Sequence, residues 1–217
     1  ILHQWANGLS LLPGGVPPDL SRGHPPLFAF LYGAWAQAFG SSLPPLRTLS
    51  LLLTLAWLYR VWALAHWLTG PRLAWATLLL LMVQPIVFTQ STLLLPEVLV
   101  ALCCTGMLHA WLQQRWLAYV LWGAALVWTK ETTLALFPLL ALAWLLWQWP
   151  QHRKLGHPAL LRGAALTLLP LAIGLGYLLL QKLSWGFWLF PAHRGVMIYQ
   201  DLPERLALLV GPELWGR

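Results

Sequence analysis

Charge is scarce in this chain: Asp, Glu, Lys and Arg make up 9% of the 217 residues, against 59% hydrophobic, and the mean hydropathy is +0.66. A soluble domain cannot hide that much apolar surface, so a soluble fold is excluded. Short segments of alternating apolar and polar residues are missing too. The stretch LAWATLLLLMVQPIVF does not alternate, which excludes a transmembrane barrel. No internal repeat and no soluble domain is visible. There are only two cysteines, Cys103 and Cys104, adjacent inside an apolar run. Neighbouring thiols rarely bridge, and metal-ligand spacing is absent, so both read as packing residues. The chain begins at Ile1 with no methionine, no charged n-region and no cleavage site; the expectation is an internal fragment without a signal peptide. The formal charge is +7, but the thirteen Lys and Arg residues are scattered through loops, with no run beyond Arg153 and Lys154. No nucleic-acid partner is expected.

What is present is apolar length. Candidate runs lie at 27–39, 46–68, 73–90, 97–112, 117–129, 132–149 and 159–181, several of them near the roughly 20 residues needed to cross a hydrocarbon core of about 30 Å. The turn signals GSSLPPLR, TGPR, LPE, QQRW, TKE and PQHRKLGHP separate them. Many of the sixteen tryptophans, among them Trp67, Trp111, Trp116, Trp147, Trp149, Trp185 and Trp188, sit near run ends, as in the aromatic belts of membrane interfaces. The expectation is an all-α, polytopic transmembrane helical bundle of about six or seven membrane segments. The opening ILHQWANGLSLL is amphipathic and too short to span, which predicts an interfacial helix, and Pro13 to Pro26 reads as an ordered external loop.

The distribution of Arg and Lys orients the bundle. Arg153 and Lys154 lie in a short loop and Arg162 begins the next span, so that loop is placed on the cytoplasmic side. Alternation then puts QQRW and TGPR inside, and LPE, TKE and SWGFWLFPAHRG outside. The run 27–39, only 13 residues long, breaks the parity and reads as re-entrant or interfacial.

Ionisable groups are costly at membrane depth, so those at span ends invite a functional reading. Glu97 opens a span; it is either a functional acid or a first-turn carboxylate that complements the helix dipole. Lys130 and Glu131 sit between two runs, where they either serve a site or pair with each other, and Thr129 is placed to cap the following helix. His24 precedes Pro25 and Pro26, which stiffen the backbone around it. A histidine so held can donate to a phosphate, bind a metal or move a proton, or it is a loop residue beside a rigid helix start. Asp19 is a general base or a solvated loop acid, and His193 with Arg194 forms a cationic pair on the same face, suited to an anionic head group. His66 and His109 lie within spans and read as core histidines, while Arg60 is expected to snorkel.

Taken in order, GHPPLFAFLYGAWAQAFGSSLPPLRTLSLLL, FTQSTLLLPEVLVALCCTGML, GAALVWTKETTLALFPLLAL and GFWLFPAHRG resemble the membrane-embedded glycosyltransferases of the protein O-mannosyltransferase and aminoarabinose-transferase family. The resemblance implies a helical bundle of the C-type superfamily. It implies transfer of a sugar from a polyprenyl-phosphate donor to a protein, lipid or glycan acceptor on the non-cytoplasmic face, in a bacterial inner membrane. It also implies one glycosyltransferase-like domain over 1–217, cut at both ends: 1–26 closes the first external loop, 27–181 forms the bundle and 182–217 a later external loop. By the same likeness, GHPPL brings His24 to the donor phosphate, LLLPE makes Glu97 the counterpart of an aspartate, WTKE supplies Lys130, and WLFPAH carries His193 and Arg194 over the site. The resemblance implies Glu97 as a catalytic residue, and Asp19 joins it from the reading of the loop; the family's main catalytic acid is expected upstream of Ile1, and Asp19 lies close to His24 for a replacement of that acid. Membrane lipids are the further partners. No metal ligand is assigned, since no ligand cluster demands one, and a divalent cation is left open. A transporter or flippase for a lipid-linked or anionic solute, and a non-catalytic membrane subunit, are the competing readings.

Overall fold

The computed structural model describes residues 25–148 and 157–188, together with Leu11. Among these residues every regular element is a helix: α1 (Leu27–Phe39), α2 (Leu43–Thr69), α3 (Pro71–Met82), α4 (Pro85–Thr92), α5 (Glu97–Leu112), α6 (Trp116–Thr129), a 3₁₀ turn (Glu131–Ala135), α7 (Leu136–Gln148) and α8 (His157–Trp185). The all-α expectation holds, and each apolar run coincides with a helix or, in two cases, with a pair of consecutive elements. The physical reason is that a helix satisfies its own backbone groups where water is absent. Residues 1–10 and the loop preceding Pro25 lie outside the described residues.

Of the six or seven membrane segments expected, the described residues show two candidate spans, or three with a broken one counted. Two helices are long and apolar enough to span, residues 43–69 and 160–185. The pair α3 and α4 makes a third only if counted as one broken span. At 1.5 Å per residue, the 16 residues of α5 and 14 of α6 reach only about 24 and 21 Å, short of a hydrocarbon core of about 30 Å. Apolar character alone did not carry that length. The two long helices nevertheless make this an integral membrane protein.

The run 73–90, read as one segment, is two helices bent by 67°. Pro85 is the cause, because its ring cannot donate a backbone hydrogen bond and crowds the preceding turn. Gln84 is pushed to φ −75°, ψ 124°, and the ladder closes early with Gln84 N–H donating to Leu81 O at 3.0 Å. At the other sharp turn, Gly70 takes φ +85° between α2 and α3, a conformation open to glycine at little cost, and folds α3 back along α2.

Helix α5 packs on both α2 and α6, and α8 covers α6 and α7. The shared core is Leu99, Leu102, Met107, Tyr119, Leu126, Phe137 and Trp144. Close approach depends on small residues, since lipid offers no hydrophobic drive between helices. A Cβ on Gly106 would lie 2.7 Å from the Trp122 ring, and one on Gly123 2.6 Å from Pro170. Interhelical hydrogen bonds fix the register. The Tyr32 hydroxyl meets Ser50 Oγ at 2.7 Å, Ser50 Oγ reaches Leu93 O at 3.2 Å, and the Tyr119 hydroxyl donates to Thr167 O at 2.8 Å. Cys103 is buried and Cys104 half-buried, both free thiols, as packing residues should be.

Candidate active site

The two acids among the described residues, Glu97 and Glu131, lie at the same end of the bundle. Glu97 is the first residue of α5, after Pro96, so its carboxylate complements the helix N-terminus. Lys130 stops α6 in an extended conformation, φ −154° and ψ 120°, and its N–H donates to Leu126 O. The two helix ends meet here. Lys130 Nζ donates to Glu97 Oε1 at 3.2 Å, although 33 residues separate them. The side chains are partly exposed, 30% for lysine and 42% for glutamate, so the pair is held in place without being sealed.

Lys130 thus reaches across the bundle to Glu97. Thr129 does not cap the helix that follows. Its hydroxyl bonds back to Ala125 O at 2.8 Å, a satisfied position inside α6, and it is Thr133 that closes the 3₁₀ turn onto Lys130 O at 2.7 Å.

Beside the ion pair opens a cavity of about 240 Å³ lined by Trp57, Ile86, Val87, Gln90, Glu97, Val98 and Ala101. Three helices supply its wall: α2 gives Trp57, the bent-off α4 gives Gln90, and α5 gives Glu97. Trp57 is set by its indole N–H, which donates to Thr105 Oγ1 at 3.2 Å. Glu97 Oε2 and Gln90 Oε1, on residues of this wall, are buried without a partner, as are the Trp62, Trp111 and Trp128 indole nitrogens and Gln181 Oε1 elsewhere. Gln90 escaped the sequence reading, because its only signal there is a polar residue between Pro85 and Glu97. Among the described residues no three His, Cys, Asp or Glu side chains gather as metal ligands.

Of the residues assigned from sequence, Glu97 and Lys130 are brought together; Asp19, His24, His193 and Arg194 lie outside the described residues. Pro25 and Pro26, which follow His24, are buried, and Pro26 O accepts from Phe30 N–H at 2.8 Å as α1 begins. The opposite end of the bundle differs from expectation in one respect. His66 is exposed and stacks on Trp62 at 5.1 Å, while His109 is half-buried and bonded to Gln113 at 2.8 Å, so neither is a fully buried core residue. Arg60 lies 5.1 Å over the Trp122 ring.

A family model described as dolichyl-phosphate-mannose-protein mannosyltransferase matches residues 23–190, well over half of the chain. The chain belongs to this family. No curated protein and no solved structure matched it. The matched range takes in every described helix together with His24, Glu97 and Lys130, and leaves out Asp19, His193 and Arg194. Membership places the chain among membrane glycosyltransferases, with glycosyl transfer from a polyprenyl-phosphate sugar as the activity the family implies.

Proposed function

We propose that this mannosyltransferase-family protein moves a sugar from a polyprenyl-phosphate carrier to a hydroxyl of a protein, lipid or glycan acceptor. The reaction runs at the bundle end that carries Glu97 and Lys130, on the non-cytoplasmic face of a bacterial inner membrane. The observation that carries this reading is the Glu97–Lys130 pair at 3.2 Å, beside a cavity, in a chain of this family.

The chemistry needs those two residue types. The acceptor oxygen attacks the anomeric carbon as its proton passes to the carboxylate of Glu97. The bond from that carbon to the phosphate oxygen breaks, and its electron pair leaves with the polyprenyl phosphate. An ammonium has three donors, and Glu97 takes one of them, so Lys130 retains N–H groups for the phosphate as charge develops there. His24, His193 and Arg194 are assigned to the same phosphate, and Asp19 to the proton-accepting side. Addition and chelation of a divalent cation in the same assay establish whether the phosphate needs one.

The test is transfer by the full-length protein in membranes, supplied with a panel of radiolabelled polyprenyl-phosphate sugars, with Glu97→Gln and His24→Ala beside the wild type. Loss of transfer in both variants at unchanged protein level supports the enzyme. A wild type that consumes no donor, or variants that equal it, sinks the reading. One observation favours a second reading, a transporter for a lipid-linked or anionic solute: the helix broken at Pro85, a device that transporters use to line a binding site. Movement of a labelled lipid-linked sugar across proteoliposomes without transfer would establish that reading instead.

A further inference from the structure

Helices α2 and α3 fold back on each other at Gly70, yet of the 12 residues of α3 only Ala74 is buried. Beyond Ala74 an open groove runs between the two helices. Leu55, Tyr59 and Trp62 of α2 line one wall, and Trp75, Leu78 and Met82 of α3 the other. Positions 55, 59 and 62 recur at the helical period, as do 75, 78 and 82, so each helix turns one apolar stripe to the groove. Surrounded by hydrocarbon, such a groove takes a lipid chain, because no water competes for it and unfilled space between helices forfeits dispersion contacts.

One end of the groove has a different chemistry. The Trp62 and Trp75 rings meet across it at 5.8 Å, and His66, one turn further along α2, stacks on Trp62 at 5.1 Å. Arg72 stands one turn before Trp75 on α3, on the neighbouring helix surface. Both His66 and Arg72 are exposed. Helical side chains lean toward the N-terminus of their own helix, so Arg72 leans toward the Gly70 turn and carries its charge out of the hydrocarbon. The order along the groove is apolar wall, paired tryptophans, then a cation with an imidazole beside it. A phospholipid has the matching order of acyl chain, interface and phosphate.

The charge balance at this end favours an anion. The acids among the described residues, Glu97 and Glu131, belong to the far end of the bundle. Helix α5 measures that distance: it starts at Glu97 and reaches His109, whose ring lies 6.1 Å from Trp67, about 18 Å further along at 1.5 Å per residue. A guanidinium with no carboxylate near it among the described residues draws an anion, and its planar fork suits a phosphate.

We propose that the α2–α3 groove binds an anionic glycerophospholipid, with one acyl chain between the two apolar stripes and the headgroup phosphate on Arg72, assisted by a donor from His66. The apolar walls accept any lipid chain; Arg72 selects the head. The excess of arginine places this lipid in the cytoplasmic leaflet, on the face away from Glu97. The site is separate from sugar transfer and does not depend on it.

The experiment is native mass spectrometry of the full-length protein, delipidated in detergent and titrated with phosphatidylglycerol or with phosphatidylcholine of the same acyl chains. Wild type is expected to bind phosphatidylglycerol about fivefold tighter, the scale of one basic residue near an anionic surface. Arg72→Gln should bring phosphatidylglycerol down toward the phosphatidylcholine level and leave phosphatidylcholine unchanged, whereas Arg72→Lys should keep a preference. Leu78→Trp, which fills the groove, should weaken both lipids; if it does not fold, Trp75→Ala removes a wall instead and carries the same expectation. Arg115→Gln, at the same end but on the turn between α5 and α6, should leave the preference intact. Equal affinities in wild type, a preference undiminished in Arg72→Gln, groove variants that bind both lipids as wild type does, or an equal loss in Arg115→Gln would each overturn the site and leave only diffuse attraction to the membrane surface. Polyprenyl phosphate is the third ligand: if its binding depends on Arg72 more than that of phosphatidylglycerol, the groove belongs to the sugar carrier and the phospholipid assignment is overturned.

Discussion

The two ends of the bundle are built on different chemistry. One gathers Glu97, Lys130, Glu131 and Gln90 where helices start and stop, with a cavity between α2, α4 and α5. The other holds Arg72, Arg115 and Arg162 with no acid among the described residues, and it is filled by rings in edge-on and tilted contact. Trp116 and Trp144 lie 5.0 Å apart, Trp111 and Trp147 5.7 Å, and the Trp144 indole donates to Leu160 O at 3.3 Å. Both ends hold buried polar atoms without a partner, Glu97 Oε2 and Gln90 Oε1 at the first and Trp111 Nε1 at the second; what differs is that the second spends large aromatic surfaces on packing. The difference teaches that a membrane bundle can concentrate aromatic packing at one end and gather charge beside a cavity at the other, which is what a site requires.

The sharpest way to break this comparison is at Glu97. Glu97→Gln keeps the shape but removes the proton acceptor, and transfer should fall by about 10²–10⁴-fold with the protein still folded, as read by donor consumption at matched expression. Lys130→Met should cost less than that, and adding it to Glu97→Gln should cost little more, because groups acting as one unit are not additive; a double-variant cycle on kcat/KM measures the coupling.

At the aromatic end the expectation reverses. Trp144→Ala should lower stability by about 3–5 kcal/mol, seen as a lower melting temperature in detergent, with transfer per folded molecule unchanged. A larger effect on transfer than on melting would erase the distinction between the ends. Between them, Gly123→Leu drives a side chain into Pro170 and should cost about 1–3 kcal/mol in the same melting assay. The smallest effect belongs to Arg60→Gln, which removes a cation from the Trp122 ring for about 0.5–1 kcal/mol.

Much of this was legible in the residues. Apolar runs bounded by Pro and Gly placed the helices to within a few residues, and 27–39 and 97–112 coincide with α1 and α5. Glu97 and Lys130 were recognisable because charge at a span end is costly and therefore conspicuous. The break at Pro85 was missed because an apolar run reads the same whether straight or bent. His66 was misjudged for a related reason: lying inside an apolar run says nothing about which side of the helix faces outward, and His66 faces outward. Trp57 gave no sign of its role, since tryptophan is so frequent here that one more carries no information.

The sequence by itself determined that this chain lives in a membrane and is helical, because transfer energies act residue by residue and need no knowledge of neighbours. Only the tertiary structure decided that Glu97 meets Lys130 across 33 residues, and that α4 turns back to set Gln90 beside them. Those are distances between segments, fixed by where glycines let helices approach and where a proline forces one to bend.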